Sequence, residues 1–246
     1  MSDYPLIYEA NYRVRVIDTD MFGLCRASSI MDFMQEAATE HANCLDIGAV
    51  TLAQQHAIWM LVRMHYTLLR PIRGGERLHI RTWGRQPRAA FVTRDFEIYA
   101  DEALVGRAVS VWVLGDLENH TLLRAEEILP SGRWNVPENP AKSPGKIQMP
   151  AEMTDAGERR IGYSETDENG HANNTRYADV LADALAAQEL EGRFISELQL
   201  NYSQECKEGE TMEISRLLEE NSCYIDGCSD DGKRRFEATV QFQPYR

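Results

Sequence analysis

The chain has 246 residues, of which 43% are hydrophobic and 26% charged, so it has the composition of a globular protein with a sizeable core. Its first residues, Met1 to Leu6, contain no basic segment, and no later stretch approaches the roughly 18 apolar residues of a membrane span. The five cysteines show no CxxC spacing, which favours free thiols over disulfides or a zinc site. We therefore expect a cytoplasmic protein with no membrane span and no metal.

The net charge of −13 argues against nucleic acid as a partner. The charge is unevenly distributed, because the segment from 70 to 94 contains seven arginines and one glutamate. These arginines are Arg70, Arg73, Arg77, Arg81, Arg85, Arg88 and Arg94. Such a run can be a solvated strand face or a docking patch for an acidic partner, and composition leaves both interpretations open.

An internal repeat organises the chain. Asp18–Gly23 aligns with Glu165–Gly170, and the same offset pairs Ser28 with Thr175. Helical spacing after each block predicts an amphipathic helix. The first helix has Ile30, Phe33, Met34, Ala37, Ala38 and Leu45 on its apolar positions, with Ser28 or Ser29 as the expected cap. The second has Tyr177, Val180, Leu181, Ala184 and Leu185, with Asn174 or Thr175 as the cap.

Alternating apolar residues predict antiparallel strands after each helix. The alternation covers residues 77–82, 95–98, 109–113, 198–202, 212–214 and 236–242. One helix followed by several strands predicts an α+β fold, in which a curved antiparallel sheet wraps around a long central helix, with the two sheets joined edge to edge. Five of the nine prolines (Pro130, Pro137, Pro140, Pro144 and Pro150) mark a linker between the halves. We expect a first unit at 1–125, a linker at 126–157 and a second unit at 158–246.

Two segments of the second half carry a resemblance to a known family. Asp167-Glu168-Asn169-Gly170-His171-Ala172-Asn173-Asn174, followed by Tyr177, resembles the D-x-N-x-H-x-N-N-x-x-Y signature of acyl-acyl-carrier-protein (acyl-ACP) thioesterases. Leu200 to Cys206 is similar to that family's second signature, an apolar strand that ends in R-E-C, although Gln204 replaces the usual arginine. The resemblance covers most of the chain, is closest to the bacterial members, and implies a tandem (double) hotdog fold.

The residues of the signature suit thioester hydrolysis. This reaction needs an activated water, a group that stabilises the oxyanion, and exclusion of solvent. Asp167 and Glu205 are candidate bases, and we expect Asp167, Asn169 and His171 to lie on one side of an extended segment. The helix start at Asn173 and Asn174 offers N–H groups to a carbonyl oxygen.

Each of these residues also has a plain structural interpretation. Asp-x-Asn-Gly is a common turn, Asn173 and Asn174 can cap a helix, and a lone His171 is often structural. Cys206 is a further candidate nucleophile, but a cysteine beside a strand is usually inert. The arrival of Glu205 from a separate strand, together with the family pattern, favours Asp167, Asn169, His171 and Glu205 as the catalytic set.

The first half lacks this set, because Phe22 and Leu24 replace Asn169 and His171. The resemblance implies that the first half encloses the acyl chain instead, and Ile30, Phe33, Met34 and Trp59 are the candidate wall residues. Any one of these four could equally be ordinary core.

The resemblance implies hydrolysis of acyl-ACP to a free fatty acid and holo-ACP, without a cofactor or metal. The candidate docking residues for the acidic carrier are Arg70, Arg73, Arg77, Arg81, Arg85 and Arg88. An acyl-CoA thioesterase and a non-catalytic acyl-binding or regulatory hotdog protein are the alternatives. We expect a monomer or a homodimer, because a duplicated chain can satisfy internally the pairing that single hotdog proteins achieve by dimerising.

Overall fold

The computed structural model describes residues 4–119, 121–135 and 140–245. The first half contains β1 (Tyr8–Arg13), α1 (Ala27–Cys44), α2 (Ala49–Ala53), β2 (Ala57–Leu68), β3 (Arg77–Gly84), β4 (Phe91–Ala100), β5 (Ala103–Asp116), β6 (Leu122–Leu123) and α3 (Ala125–Ile128). The second half contains β7 (Thr154–Arg160), α4 (Arg176–Asp183), α5 (Ala187–Leu190), β8 (Arg193–Tyr202), β9 (Thr211–Leu218), β10 (Ser222–Ser229) and β11 (Arg234–Pro244).

The strands form one antiparallel sheet in the order β1-β3-β4-β5-β2-β8-β11-β10-β9-β7, with β6 paired to β5. The two halves are joined where β2 pairs with β8, from Arg63 opposite Asn201 to Thr67 opposite Glu197. The segments with apolar alternation lie within β3, β4, β5, β8, β9 and β11, so these predicted strands are confirmed. Joining β2 to β8 removes two strand edges that would otherwise be exposed.

Helix α1 is the main helix of the first half. Its apolar face packs on the sheet, and Met34 and Ala37 are completely buried there. Burial of a methionine side chain stabilises the fold by about 1.5–3 kcal/mol. The predicted serine caps are wrong, because the helix begins at Ala27 and places Ser28 and Ser29 inside its first turn.

The second half does not have an equally long helix, so this part of the predicted fold is wrong. Helix α4 has 8 residues against 18 in α1. The chain turns after Asp183 because the Ala184 carbonyl oxygen accepts a hydrogen bond from Arg216 Nη1 (2.8 Å). Glu189 Oε2 then accepts from the Ala186 backbone N–H (2.7 Å), which starts the separate helix α5.

Residues 140–153 connect the halves without a helix or strand. The Gly145 carbonyl oxygen accepts hydrogen bonds from Gln199 Nε2 (2.8 Å) and Asn201 Nδ2 (3.3 Å), which fixes this connection along β8. Pro130, Pro140, Pro144 and Pro150 belong to the described residues, whereas Pro137 lies outside them. Ala125, Leu129 and Trp134, which precede the connection, pack into a core cluster of the first half.

Candidate active site

The Asp167–His171 segment is a tight turn and not the extended segment that we expected. Asp167 Oδ1 accepts hydrogen bonds from the backbone N–H groups of Asn169 (2.9 Å) and His171 (3.3 Å). The Asp167 N–H donates in return to the His171 carbonyl oxygen (2.8 Å). Gly170 closes the turn with φ of +76°, in the left-handed region that glycine adopts without strain. Alternation of side chains therefore does not apply here, and Asp167 and His171 lie opposite each other.

His171 and Glu205 come together from separate elements. The His171 Nδ1 atom lies 3.3 Å from Glu205 Oε2, with side-chain exposures of 24% and 59%. The turn is fixed beside the end of β8 because the Ala172 N–H donates to the Cys206 carbonyl oxygen (2.7 Å). A carboxylate at Nδ1 favours the tautomer that carries its proton on that nitrogen and leaves Nε2 as an acceptor.

The two asparagines differ in what their polar groups contact. Asn173 Oδ1 accepts from the Thr175 N–H (3.0 Å) and hydroxyl (3.1 Å), so it caps the start of α4. Thr175 occupies the predicted capping position, but its side chain makes no capping hydrogen bond. The Asn174 carbonyl oxygen accepts from the Tyr202 hydroxyl (2.9 Å). Asn174 also lines a cavity, so it can contact a bound molecule, which a residue that only caps a helix does not need to do.

A cavity of about 460 Å³ lies between the turn of the second half and the first half. Asp167, Glu168, Asn169 and Asn174 form its wall on the turn side. The opposite wall comes from α1, α2 and β2, and includes Gln35, Ala38, Thr39, Ala42, Ala49 and Trp59. Its size is within the range of small-molecule sites. His171 and Glu205 do not belong to this wall, so the predicted catalytic set is divided between the cavity and an adjacent pair.

The four candidate acyl-pocket residues lie in different places. Trp59 lines the cavity and is fixed by a hydrogen bond from Nε1 to the Ile47 carbonyl oxygen (2.8 Å). Ile30 lines a second cavity instead. Met34 is completely buried in the core, and Phe33 stacks on Tyr12 with ring centroids 5.1 Å apart. Met34 and Phe33 line neither of these cavities, because they lie on the face of α1 that packs against the sheet.

The sequence did not indicate the cavity residues on α1. Gln35, Ala38, Thr39 and Ala42 follow helical spacing along one face of α1. The sequence feature that could have identified these cavity residues is a row of small or polar residues beside the strongly apolar face of α1.

The first half contains the same turn without the equivalents of Asn169 and His171. Asp20 Oδ1 accepts from the backbone N–H groups of Phe22 (2.9 Å) and Leu24 (2.9 Å), in the same way as Asp167 does. Gly23 has φ of +75°. The acceptor role of the aspartate is therefore a property of the fold, and the second half differs by adding Asn169 and His171.

Cys206 is unsuited to act as a nucleophile. Its side chain is completely buried. Burial, together with a hydrogen bond to Glu210, raises the pKa of the Cys206 thiol to about 12. A thiol with this pKa is almost entirely protonated at neutral pH, whereas the reactive species is the thiolate.

The arginine-rich segment is largely matched by carboxylates. Arg70 pairs with Glu76 (2.9 Å), and Arg85 pairs with Asp95. Arg81 contacts both Glu9 and Glu97 at 3.0 Å. Arg73 lies over the Tyr245 ring, and Arg94 is buried. Arg77 and Arg88 are exposed, so only part of the predicted patch presents its charge to solvent.

Two further properties concern the described part of the chain. Within it, no helix combines the length and apolar character that crossing a bilayer would need. The same residues contain no group of three or more histidine, cysteine, aspartate or glutamate side chains that could hold a metal ion.

This arrangement defines a class of duplicated proteins in which one half keeps a polar site and the other forms its opposite wall. The family model for the acyl-ACP thioesterase N-terminal domain matches residues 5–130, and the model for the C-terminal domain matches residues 151–244. The chain therefore belongs to the acyl-ACP thioesterase family.

Curated relatives support this assignment at low identity. A chloroplastic palmitoyl-acyl carrier protein thioesterase of Gossypium hirsutum is 22% identical over 220 residues, which covers 82% of this chain and 52% of the relative. A chloroplastic dodecanoyl-[acyl-carrier-protein] hydrolase of Cinnamomum camphora is 22% identical over 223 residues, covering 82% and 57%. The chain thus spans about half the length of the curated relatives it matches.

Solved structures show the same fold. An acyl-ACP thioesterase from Bacteroides thetaiotaomicron superposes with a TM-score of 0.89 at 20% identity, covering 99% of this chain and 100% of that one. The 12:0-ACP thioesterase from Umbellularia californica gives a TM-score of 0.83 at 17% identity, with 100% coverage of both chains.

Proposed function

We propose that this protein hydrolyses acyl-ACP thioesters to a free fatty acid and holo-ACP in fatty acid biosynthesis. The observation that carries the proposal is the contact between His171 Nδ1 and Glu205 Oε2, beside a cavity lined by Asn169 and Asn174. The first half has the same turn without these groups, so the fold alone does not account for their presence. Membership of the family and the names of the relatives support the same activity.

In the proposed mechanism, Glu205 orients His171, whose Nε2 takes a proton from water. The hydroxide attacks the thioester carbonyl carbon, and the amide groups of Asn169 and Asn174 stabilise the oxyanion. The C–S bond then breaks, and the proton held by His171 passes to the leaving thiolate. Asp167 shapes the turn through its two backbone hydrogen bonds. No cofactor takes part in these steps.

The fold supports a finer description. Each half is proposed to be one hotdog unit, with a first unit at 1–125, a linker at 126–157 and a second unit at 158–246. The mirrored strand order around the β2–β8 join supports this division. The free cysteines suit a reducing compartment, and a cytoplasmic location remains a prediction. A monomer or homodimer likewise remains a prediction.

Release of thiol from purified protein tests the activity. We expect turnover of dodecanoyl-ACP, and a loss of about 10²- to 10⁴-fold in kcat/KM for His171→Ala and Glu205→Ala. Glu208→Ala is the matched control, because Glu208 is an exposed carboxylate in the same loop. Full activity in both site variants would disprove the assignment. Tight acyl binding without any turnover would favour a non-catalytic acyl-binding protein.

The carrier is tested separately, since the same chemistry could act on acyl-CoA. Arg77 and Arg88 are both exposed; the register places the exposed Arg13 opposite Arg77 at the start of β3, whereas Arg88 follows the other end of that strand, so the two arginines test separate parts of the candidate docking surface. We expect Arg77→Glu and Arg88→Glu to lower kcat/KM for dodecanoyl-ACP and to leave that for dodecanoyl-CoA unchanged. Lys142→Glu in the connection is the control. Equal effects on both substrates would argue against docking at this surface.

A further inference from the structure

A second cavity, of about 670 Å³, lies on the opposite side of the join between the halves. The first cavity is bounded by the turn of the second half against α1, α2 and β2. The second is bounded by the turn of the first half, with Asp20, Phe22 and Arg26, against α4, α5 and β8. The repeat thus produces two cavities, and the proposed chemistry belongs only to the first.

Arg26 is the main change at the head of the second cavity. The offset that pairs Ser28 with Thr175 pairs Arg26 with Asn173, so the first half has a cation where the second half has an amide at the start of its helix. Arg26 lines the cavity and has no carboxylate within 4 Å among the described residues. Its charge acts on Asp18, but that carboxylate is already bound by Arg15 at 2.8 Å.

Tyr66 adds an unsatisfied donor to the same wall. Its side chain is completely buried and lines the cavity together with Cys25, which lies next to Arg26 in the chain. Within the described part of the chain, the Tyr66 hydroxyl makes no hydrogen bond. The Tyr66 hydroxyl is not one of the fully enclosed polar atoms that lack a partner, so it is reachable from the cavity, where an oxygen atom of a ligand can accept its hydrogen bond.

The other cations on this wall already have protein partners, and Arg193 donates to the backbone carbonyl oxygens of Glu189 and Glu220. Arg159 contacts Glu165 at 2.5 Å and Asp183 at 2.8 Å. Arg176 is bound by Asp32 and Asp179. The remaining surface is apolar and is formed by Ile30, Leu68, Leu185, Leu190, Phe194 and Ile195. A ligand of this cavity therefore needs an aliphatic body and one anionic oxygen group.

We propose that the second cavity binds a free long-chain carboxylate without hydrolysing it. The carboxylate contacts Arg26 and the Tyr66 hydroxyl, and the chain packs against Leu185, Leu190 and Phe194. Hydrolysis is excluded there because Phe22 and Leu24 occupy the positions of Asn169 and His171. The inference that this carboxylate is the fatty acid released at the first cavity rests on the proposed function. The inference that the second cavity binds a carboxylate does not.

Isothermal titration with dodecanoate below its critical micelle concentration tests the second site. We expect two equivalents for the wild type. Ala182 on α4 and Gln35 on α1 occupy matching positions of the repeat and line the second and first cavity, respectively. Ala182→Trp fills the second cavity, so this variant should bind one equivalent, at the first site, and should still hydrolyse thioester. Gln35→Trp fills the first cavity, so this variant should bind one equivalent at the second site. Dodecanoate binding that Ala182→Trp leaves unchanged would overturn the proposal, whereas a wild type that binds one equivalent, lost in Ala182→Trp, would leave only the first cavity without a bound acid.

Recognition of the carboxylate is tested by milder changes. Arg26→Gln and Tyr66→Phe should each weaken dodecanoate binding at the second site roughly three- to tenfold. The effect of Arg26→Gln is modest because Arg26 is exposed and its charge is partly screened by solvent. Arg107→Gln is the matched control, because Arg107 is an exposed arginine that lines neither cavity. Dodecanol should bind the second site more weakly than dodecanoate, and equal binding would overturn the carboxylate assignment. Thioester turnover is measured separately, so an inactive protein with two acid sites would refute only the proposed function.

Discussion

Replacing Asp167 by asparagine separates two roles that this carboxylate can have. Asp167 Oδ1 accepts from the N–H groups of Asn169 (2.9 Å) and His171 (3.3 Å), and an asparagine oxygen can accept both bonds. If His171 and Glu205 supply the base, Asp167→Asn loses only the charge assistance of these bonds, about 1 kcal/mol. We therefore expect kcat/KM to fall by about fivefold to tenfold.

Asp167→Ala should have a much larger effect, because it leaves both backbone N–H groups without their acceptor. At about 1 kcal/mol for each hydrogen bond, the free energy of unfolding falls by about 2 kcal/mol. The first half provides the control, since Asp20 binds the N–H groups of Phe22 and Leu24 at 2.9 Å. Asp20→Ala should destabilise the protein by a similar amount without changing the geometry of the proposed site.

The assay combines kcat/KM on dodecanoyl-ACP with the free energy of unfolding in urea for Asp167→Asn, Asp167→Ala, Asp20→Asn and Asp20→Ala. A fall in kcat/KM of about 10²-fold or more in Asp167→Asn, with unchanged free energies of unfolding in this variant and in Asp20→Asn, would contradict this structural role of Asp167. Asp167 itself would then be the base, and His171 would serve to position it.

Two further predictions follow from buried groups. Burial, followed by the nearby Arg94 charge, lowers the pKa of His41 from 6.5 to about 4. As the pH falls, His41 takes up a proton at a higher pH in the unfolded chain than in the folded protein. The free energy of unfolding therefore decreases by up to about 3 kcal/mol between about pH 6.5 and pH 4. Urea unfolding at pH 7 and 4.5 measures this loss, which His41→Gln should reduce; an unchanged loss in that variant would contradict the assignment. Iodoacetamide at pH 8 should modify the exposed Cys44 and spare Cys206, whose pKa burial raises to about 12, and rapid labelling of Cys206 in peptide mass spectra would contradict its burial.

Six strands were predictable from the sequence, among them β8 on one side of the join between the halves, but β2 on the other side was not. Strands such as β3 alternate buried and more exposed residues, which gives the period of two that the sequence displays. Strand β2 reads Ala-Ile-Trp-Met-Leu-Val-Arg-Met-His-Tyr-Thr-Leu and has an irregular burial pattern. It is paired on both edges, with β5 and β8, and its register shifts between Leu61 and Arg63. This shift obscures the alternation, so the sequence alone did not predict the strand.

The sequence predicted candidate site residues but not the geometry of the segment that holds them. The motif identified Asp167, Asn169 and His171, but a left-handed Gly170 bends the segment back on itself. Alternation then no longer decides which side chains share a face. In α1, helical spacing placed Phe33 on the apolar face and the family resemblance made it a candidate wall residue, although it packs in the core. Which face of α1 meets a cavity depends on where the other half of the chain lies. The spacing of residues within α1 carries no information about that position.

The duplication explains why the aspartate of the turn is a poor indicator of chemistry. Asp20 and Asp167 accept equivalent backbone hydrogen bonds, so an aspartate is required by the turn whether or not the half is catalytic. Residues that the turn does not require are more informative about function. His171 is one of these in the second half, and Arg26 is one in the first. Because there is a cavity on each side of the β2–β8 join, the first half has a cavity without the equivalents of Asn169 and His171, and Arg26 decides its chemistry. A comparison of the halves therefore predicts two binding sites and one reaction.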